Sequence, residues 1–190
     1  IPSETLSGDY FEVIQMSKTR DGLVISDVSG KGTEAAIYNA RAKYILKSYA
    51  VADYSPSEIL TLINQLMEEE TAADKFISLM YIDLDLEADE IILSSAGHEP
   101  LILWDDSQKE AYTINDPSNM PIGVFPDTTY DEKLYRVSKG DILLLYTDGI
   151  TEARSREGEF FGVDRVLELV RSNFHLDAQG LASKIYTTVQ

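Results

Sequence analysis

The chain has 190 residues, 44% hydrophobic and 26% charged, with 33 acids against 16 bases and a net charge of −17. That length fits one domain with a real core, here 1–190, and the acidic balance argues against nucleic acid, whose backbone must be met by Lys and Arg. With no cysteine, disulfides and thiolate metal sites are excluded; with no signal-like start and no apolar run near the roughly 18 residues of a membrane span, a cytoplasmic protein without membrane contact is expected.

In chain order, Tyr10 to Met16 and Gly22 to Ser26 read as strands joined by the polar turn SKTRDG. Thr33 to about Val51 carries Ala36, Ile37, Ala40 and Tyr44 at helical spacing. SPSEIL opens a second helix: Ser55 caps, Pro56 suits the first position, and Glu58 completes a capping box. Its apolar stripe is Ile59, Leu60, Ile63, Leu66 and Met67. Strands follow at Phe76 to Leu86, Ile91 to Ala96, Pro100 to Trp104, Ala111 to Ile114, Tyr130 to Val137 and Asp141 to Tyr146. The last contains ILLLY, apolar at every position, and is expected to be central in its sheet and covered on both faces. Asp164 to Ser172 and Asp177 to Val189 read as closing helices. Long antiparallel-looking strands with helices in two groups predict an α+β protein of layers rather than alternating βαβ units.

Two apolar strands end in an acid followed by a glycine turn, at Asp27 and Asp148, and Asp9 stands beside Gly8 at the first strand. A single Asp before Gly is an ordinary turn signal. Carboxylates gathered at sheet ends would repel one another unless a cation lay between them, and hard divalent cations take carboxylate, carbonyl and water oxygens. The carbonyl of Val28 could join such a set. The SGKGT turn is no P-loop: the residue after Lys31 is Gly32, and Ile25 stands where that motif needs its first glycine. The turn then serves to place Asp27.

SGDYFEV, DVSGKGTEAA, SAGHEPLIL, NMPIGV, GDILLLYTDGITEA and FFGVDRV occur in the order found in bacterial PPM-type (protein phosphatase 2C-like) metal-dependent serine/threonine phosphatases. The branch that the chain resembles is that of the stage II sporulation protein E phosphatase domain and its stress-response relatives. The resemblance implies a four-layer α-β-β-α sandwich of two mainly antiparallel sheets flanked by helices. It implies two manganese or magnesium ions, with Asp27 bridging both, the Val28 carbonyl beside it, Asp148 a ligand of one, and Asp9 a ligand or the holder of a metal-bound water. The substrate implied is phosphoserine or phosphothreonine on an anti-sigma-factor antagonist, in bacterial stress or developmental signalling. Ser7 stands where many members have a second glycine, and Lys31 where some have histidine. Members usually continue into a strand with an Asp-Asp-x-Thr ligand element, and Asp105-Asp106-Ser107, in a hairpin tip, is no substitute for it. The chain is therefore expected to be a fragment of a longer regulatory protein, with a sensor or receiver domain upstream, lacking that C-terminal strand; a homodimer is open.

The remaining residues have two readings each. His98 in AGHEP is either a general acid for the leaving serine oxygen or, preferably, the residue that fixes the turn after its strand. Lys31 is a phosphate contact or a solvated loop lysine, and Glu152 either supports the site or is a helix-start acid. NMPIG reads as a flap near the site or as a plain Pro/Gly turn. Two rival functions stand: a catalytically weak or dead phosphatase-like module that binds a regulatory partner, and a metal-dependent phosphatase of nucleotides or small molecules.

Overall fold

The computed structural model describes residues 8–30, 32–68, 75–114 and 120–190. The fold is α+β, with two antiparallel sheets and helices, as the sequence reading expected. The strands are β1 (Tyr10–Gln15), β2 (Arg20–Val28), β3 (Ile77–Asp85), β4 (Glu90–Ala96), β5 (Leu101–Asp105), β6 (Glu110–Ile114), β7 (Lys133–Arg136) and β8 (Ile142–Leu144). The helices are α1 (Thr33–Val51), α2 (Pro56–Glu68), α3 (Asp148–Thr151), α4 (Val163–Asn173) and α5 (Ala178–Val189). Contacts divide the chain into two compact units: 1–98 with 116–136, and 99–115 with 137–190. Among the described residues, no helix is long and apolar enough to cross a membrane.

The first unit is a five-stranded sheet in the order β1-β2-β3-β4-β7. Val24, Val28, Leu79 and Tyr81 on one face pack with Ala35, Ala42 and Leu46 of α1 and with Ile59, Leu60, Ile63 and Met67 of α2. The capping box forms as expected: the Ser55 amide donates to the Glu58 carboxylate at 2.9 Å, and the Glu58 amide to Ser55 Oγ at 3.5 Å. Leu66, placed in the stripe from sequence, is exposed.

Helix α1 has the expected bounds but the opposite face inward. Ile37 and Tyr44 are 57% and 69% exposed, while Ala35, Tyr38, Asn39, Ala42, Leu46 and Ala50 are buried. Apolar residues stand on nearly every side of this helix, so the 3.6-residue period could not single out a face. A polar side chain decides it: Asn39 is buried because it has partners in the sheet.

The second unit is a three-stranded sheet in the order β6-β5-β8. Ile102, Trp104 and Ala111 form its core with Val166 and Val170 of α4, and Trp104 stacks on Phe174 with ring centroids 4.4 Å apart. The expectation for Asp141 to Tyr146 is corrected here. Only Ile142–Leu144 is strand; among the described strands it pairs with β5 alone, and all three residues are half-buried. An apolar run reports what covers a strand's faces and carries no information about its lateral neighbours.

The hairpins β3–β4 and β5–β6 share one turn design. Asp85 Oδ1 accepts the amides of Glu87 and Ala88 at 2.9 and 3.0 Å, and Asp105 Oδ1 those of Ser107 and Gln108 at the same two distances. Asp89 and Lys109 take left-handed φ values of 52° and 55° at matching positions. Asp105 and Asp106 are thus hairpin-tip residues, as read from sequence.

Two stability tests follow. Asp83, with a side chain only 7% exposed, accepts two guanidinium nitrogens of Arg20, whose third nitrogen meets the 75% exposed Asp53 at 2.7 Å. Asp83→Ala is expected to cost about 2 kcal/mol, since a bond to a buried charge is lost, and Asp53→Ala under about 0.5 kcal/mol. Urea unfolding of both variants checks the order.

Glu12 accepts hydrogen bonds from Tyr10 and Lys47, with Lys43 close by, and these hold its carboxyl at about 2 against an ordinary 4.5. A depressed folded-state value stabilises the protein above pH 4.5, and that contribution is lost as pH falls from 4.5 toward 2. Glu12→Gln is therefore expected to be less stable than the parent at pH 7, with the gap closing as pH falls through this window. Urea midpoints across pH provide the measurement.

Candidate metal and phosphate site

Strand alternation sets the site. Ser26 and Val28 point into the helix-covered core of the first unit, so Asp27 between them points to the opposite face and is half-buried. On β1, Tyr10 pairs with Ser26, so one register step further brings Asp9 opposite Asp27. Gly8 makes the approach still closer. A Cβ there would stand 2.8 Å from the Val28 carbonyl oxygen and 2.9 Å from Asp27 Oδ1, so only glycine lets this backbone touch both groups.

Asn39 of α1 locks the arrangement. Its amide nitrogen donates to the Gly8 carbonyl at 2.6 Å, and its amide oxygen accepts from Ser26 Oγ at 3.2 Å. The sequence reading missed this residue. α1 also carries Arg41, Lys43, Lys47 and Ser48, so its sequence does not single out Asn39; the partners that a buried amide must find lie on other segments.

Across β3, Asp27 pairs with Ser78, whose hydroxyl lies 3.1 Å from His98 Nδ1. The His98 amide also bonds Ser95 Oγ at 3.3 Å. Those two bonds fix the turn after β4 and favour the structural reading of His98, while placing it at the same end of the sheet as Asp9 and Asp27. Lys31 lies outside the described residues. A lysine not singled out from sequence is near that loop instead: Lys75 Nζ would be 2.9 Å from a Cβ on Gly30, which has φ 97°. The pairing of Val28 with Ile77 brings Lys75 there, a long-range contact with no local sequence signal. Of the NMPIG segment, Asn119 lies outside the described residues. Ile122 is fully buried and exchanges two 2.9 Å backbone bonds with Ile77, so this part is pinned to β3.

Asp148 and Glu152 belong to the second unit. Asp148 opens the four-residue α3 and Glu152 caps its far end, so Glu152 is not a helix-start acid; both are exposed. Glu99, also missed, is their neighbour: burial first, then the charges of Asp148 and Glu152, push its carboxyl above the usual range. No single group of three His, Asp or Glu side chains with metal-binding spacing occurs among the described residues. The donors that meet at Gly8, the Asp27 carboxylate and the Val28 carbonyl, are of the kind a hard cation takes, and in the second unit burial first, then Asp148 and Glu152, raise Glu99.

The chain is 28% identical over 189 residues to "Phosphoserine phosphatase RsbU" of Bacillus subtilis, covering all of this chain and 56% of that protein. It spans between about a third and a little over half the length of the first curated relatives it matches. In fold it matches the crystal structure of the RsbU and RsbW domains of a Mycobacterium tuberculosis protein, with a TM-score of 0.84, 22% identity, and coverage of 97% of this chain and 51% of that one. The PP2C phosphatase domain of SpoIIE from Bacillus subtilis gives 0.79 at 20% identity, covering 97% of this chain and 53% of that one. Matched over residues 17–190 by the family description "Stage II sporulation protein E (SpoIIE)", the chain belongs to this family of PP2C-type phosphatase domains.

Proposed function

We propose that the chain is a metal-dependent protein phosphatase that hydrolyses phosphoserine or phosphothreonine on an anti-sigma-factor antagonist. The observation that carries this reading is the contact of Gly8 with Asp27 and the Val28 carbonyl, which gathers oxygen donors at one sheet end. The name of the B. subtilis relative, a phosphoserine phosphatase, supports the substrate class. The antagonist partner comes from the family resemblance, as does a longer regulatory parent chain.

In this reading Asp27, the Val28 carbonyl and Asp9 would hold manganese or magnesium, with two ions expected, and Asp148 keeps the ligand role that the resemblance gives it. When bound, such cations supply positive charge to phosphoryl oxygens and acidify water for in-line attack. The chain's own residues do the positioning. Asn39 and Ser26 hold the Gly8–Asp9 backbone against β2, so the acids need not move to receive a cation. A phosphomonoester dianion is repelled by a chain of charge −17, and Lys75 beside Gly30 lowers that barrier locally. Ser78 and Ser95 hold His98 in the turn after β4, at the sheet end that carries Asp9 and Asp27.

The test is phosphopeptide turnover with manganese, with excess EDTA, and with EDTA followed by manganese. Activity is expected only in the first and third. Full activity in EDTA overturns the reading, and none under any condition supports a binding module instead. Asp27→Asn, which removes a charge and a donor, is expected to lower both manganese affinity and turnover at least a hundredfold, about 2.7 kcal/mol, while leaving the fold intact. Calorimetric manganese titration and thermal unfolding measure the two halves of that statement.

Gly8→Ala tests the contact itself. Its methyl group meets a backbone oxygen that cannot swing aside, so the Asp9 segment must shift. Turnover is expected to fall about tenfold or more, since misplacement by an ångström is that costly. Parent-like kinetics in this variant would remove the structural basis of the proposal.

A further inference from the structure

Helix α2 carries an amide inside its apolar face. Ile59, Leu60, Ile63 and Met67 are buried in the core, and Asn64 is fully buried with them. A buried amide without partners is destabilising, so its partners identify its role.

Asn64 directs its side chain at one loop. Its Nδ2 donates to the Phe125 and Pro126 carbonyls at 2.9 and 3.0 Å, and its Oδ1 accepts the Gly123 amide at 2.9 Å. Both amide protons and the oxygen therefore fix the backbone of 123–126. Two further positions on the same face of α2 hold the chain that follows. Thr61 Oγ1 accepts the Tyr130 amide at 3.2 Å, and the Ser57 amide donates to the Glu132 carboxylate at 2.9 Å.

The other side of the loop bears on the phosphate end of the sheet. Ile122 exchanges two backbone bonds with Ile77. Gly123, at φ 89°, packs so closely that a Cβ there would stand 2.7 Å from the Tyr38 hydroxyl and 3.0 Å from the Lys75 carbonyl. From the β2 side, the Ser29 amide donates to the Phe76 carbonyl at 2.9 Å, and the Phe76 amide to Ser29 Oγ at 2.8 Å. The segment carrying Lys75 is thus held between this loop and the turn after Asp27. A held lysine loses much rotamer freedom, so Nζ stays beside Gly30 only if its backbone is fixed. Plain loop closure needs no such arrangement: the Ser57–Glu132 and Thr61–Tyr130 bonds already fasten the chain to α2. Asn64 is the member of the series whose loop meets Lys75.

We propose that Asn64 is a positioning residue for phosphate binding. Through Gly123 it holds the Lys75 backbone, and with it the ammonium group that meets the phosphoryl dianion. The phosphate role rests on the phosphatase reading, whereas the link from Asn64 to Lys75 does not.

The link is tested without metal or turnover, by nuclear Overhauser contacts between Lys75 Hε and Gly30 Hα protons of the chain in EDTA. Lys75 Cε lies 3.9 Å from the place of a Gly30 Cβ, so the parent is expected to show them. Glu132→Ala, which loses only the far bond of the series, is expected to keep them. Asn64→Leu, similar in volume but without bonds to the loop, is expected to lose them. Gly123→Ala retains Asn64 and pushes the loop off the Lys75 carbonyl, so it carries the same expectation if Asn64→Leu does not fold. The phosphate role is tested by phosphopeptide turnover at saturating manganese. Asn64→Leu and Lys75→Met are each expected to raise KM about tenfold with kcat within about twofold, and the double variant to go no higher than either. Overhauser contacts that persist in the folded variant, or KM effects that multiply in the double variant, overturn the proposal. A parent without turnover under any condition defeats the phosphatase reading instead, and the Overhauser contacts then decide the link between Asn64 and Lys75.

Discussion

The absence of a side chain at Gly8 is the constraint on which the first unit's chemistry depends. With one hydrogen there, the β1 entry lies directly on the Asp27 carboxylate and the Val28 carbonyl. A buried amide on α1 then ties the entry to β2 through Gly8 and Ser26. Each partner satisfies a polar group that would otherwise be buried at a cost of about 1–3 kcal/mol. The bonds that seat α1 therefore also hold the β1 entry against β2, beside Asp27.

Local signals in the sequence were read correctly, and collective ones less so. The Ser55–Glu58 box, the hairpin tip at Asp105 and the bounds of α1 depend on neighbours a few residues apart. Asp9 and Asp27 stand out in the sequence as acids beside glycine turns, and the β1–β2 register brings them to one sheet end. The inward face of α1 was not legible, since Asn39 is buried by partners on two other segments. Lys75 and Glu99 were missed for the same reason. One reaches Gly30 through β2–β3 pairing, and the other is perturbed by acids about 50 residues along the chain. β8 shows the remaining limit: its residue types describe its faces, while its neighbours are set by strands elsewhere.

Charge is arranged as deliberately as shape. An acidic protein that handles phosphate must offset its own field at chosen points. One such cation is Lys75, over the loop after Asp27. Elsewhere lysines meet single carboxylates at the surface, as Lys43 and Lys47 meet Glu12.

The duplicated aspartate turns bear on how the chain acquires its structure. Each closes a hairpin from contacts only a few residues apart, the kind that forms in roughly microseconds, and each unit holds one. Pairing of β2 with β3 must instead bridge two intervening helices, so its loop-closure entropy is larger and its assembly later. Two early nuclei, one per unit, would therefore precede the register that sets Asp27 beside Gly8, and the edge that carries Asp27 would be among the last parts of the first unit to form.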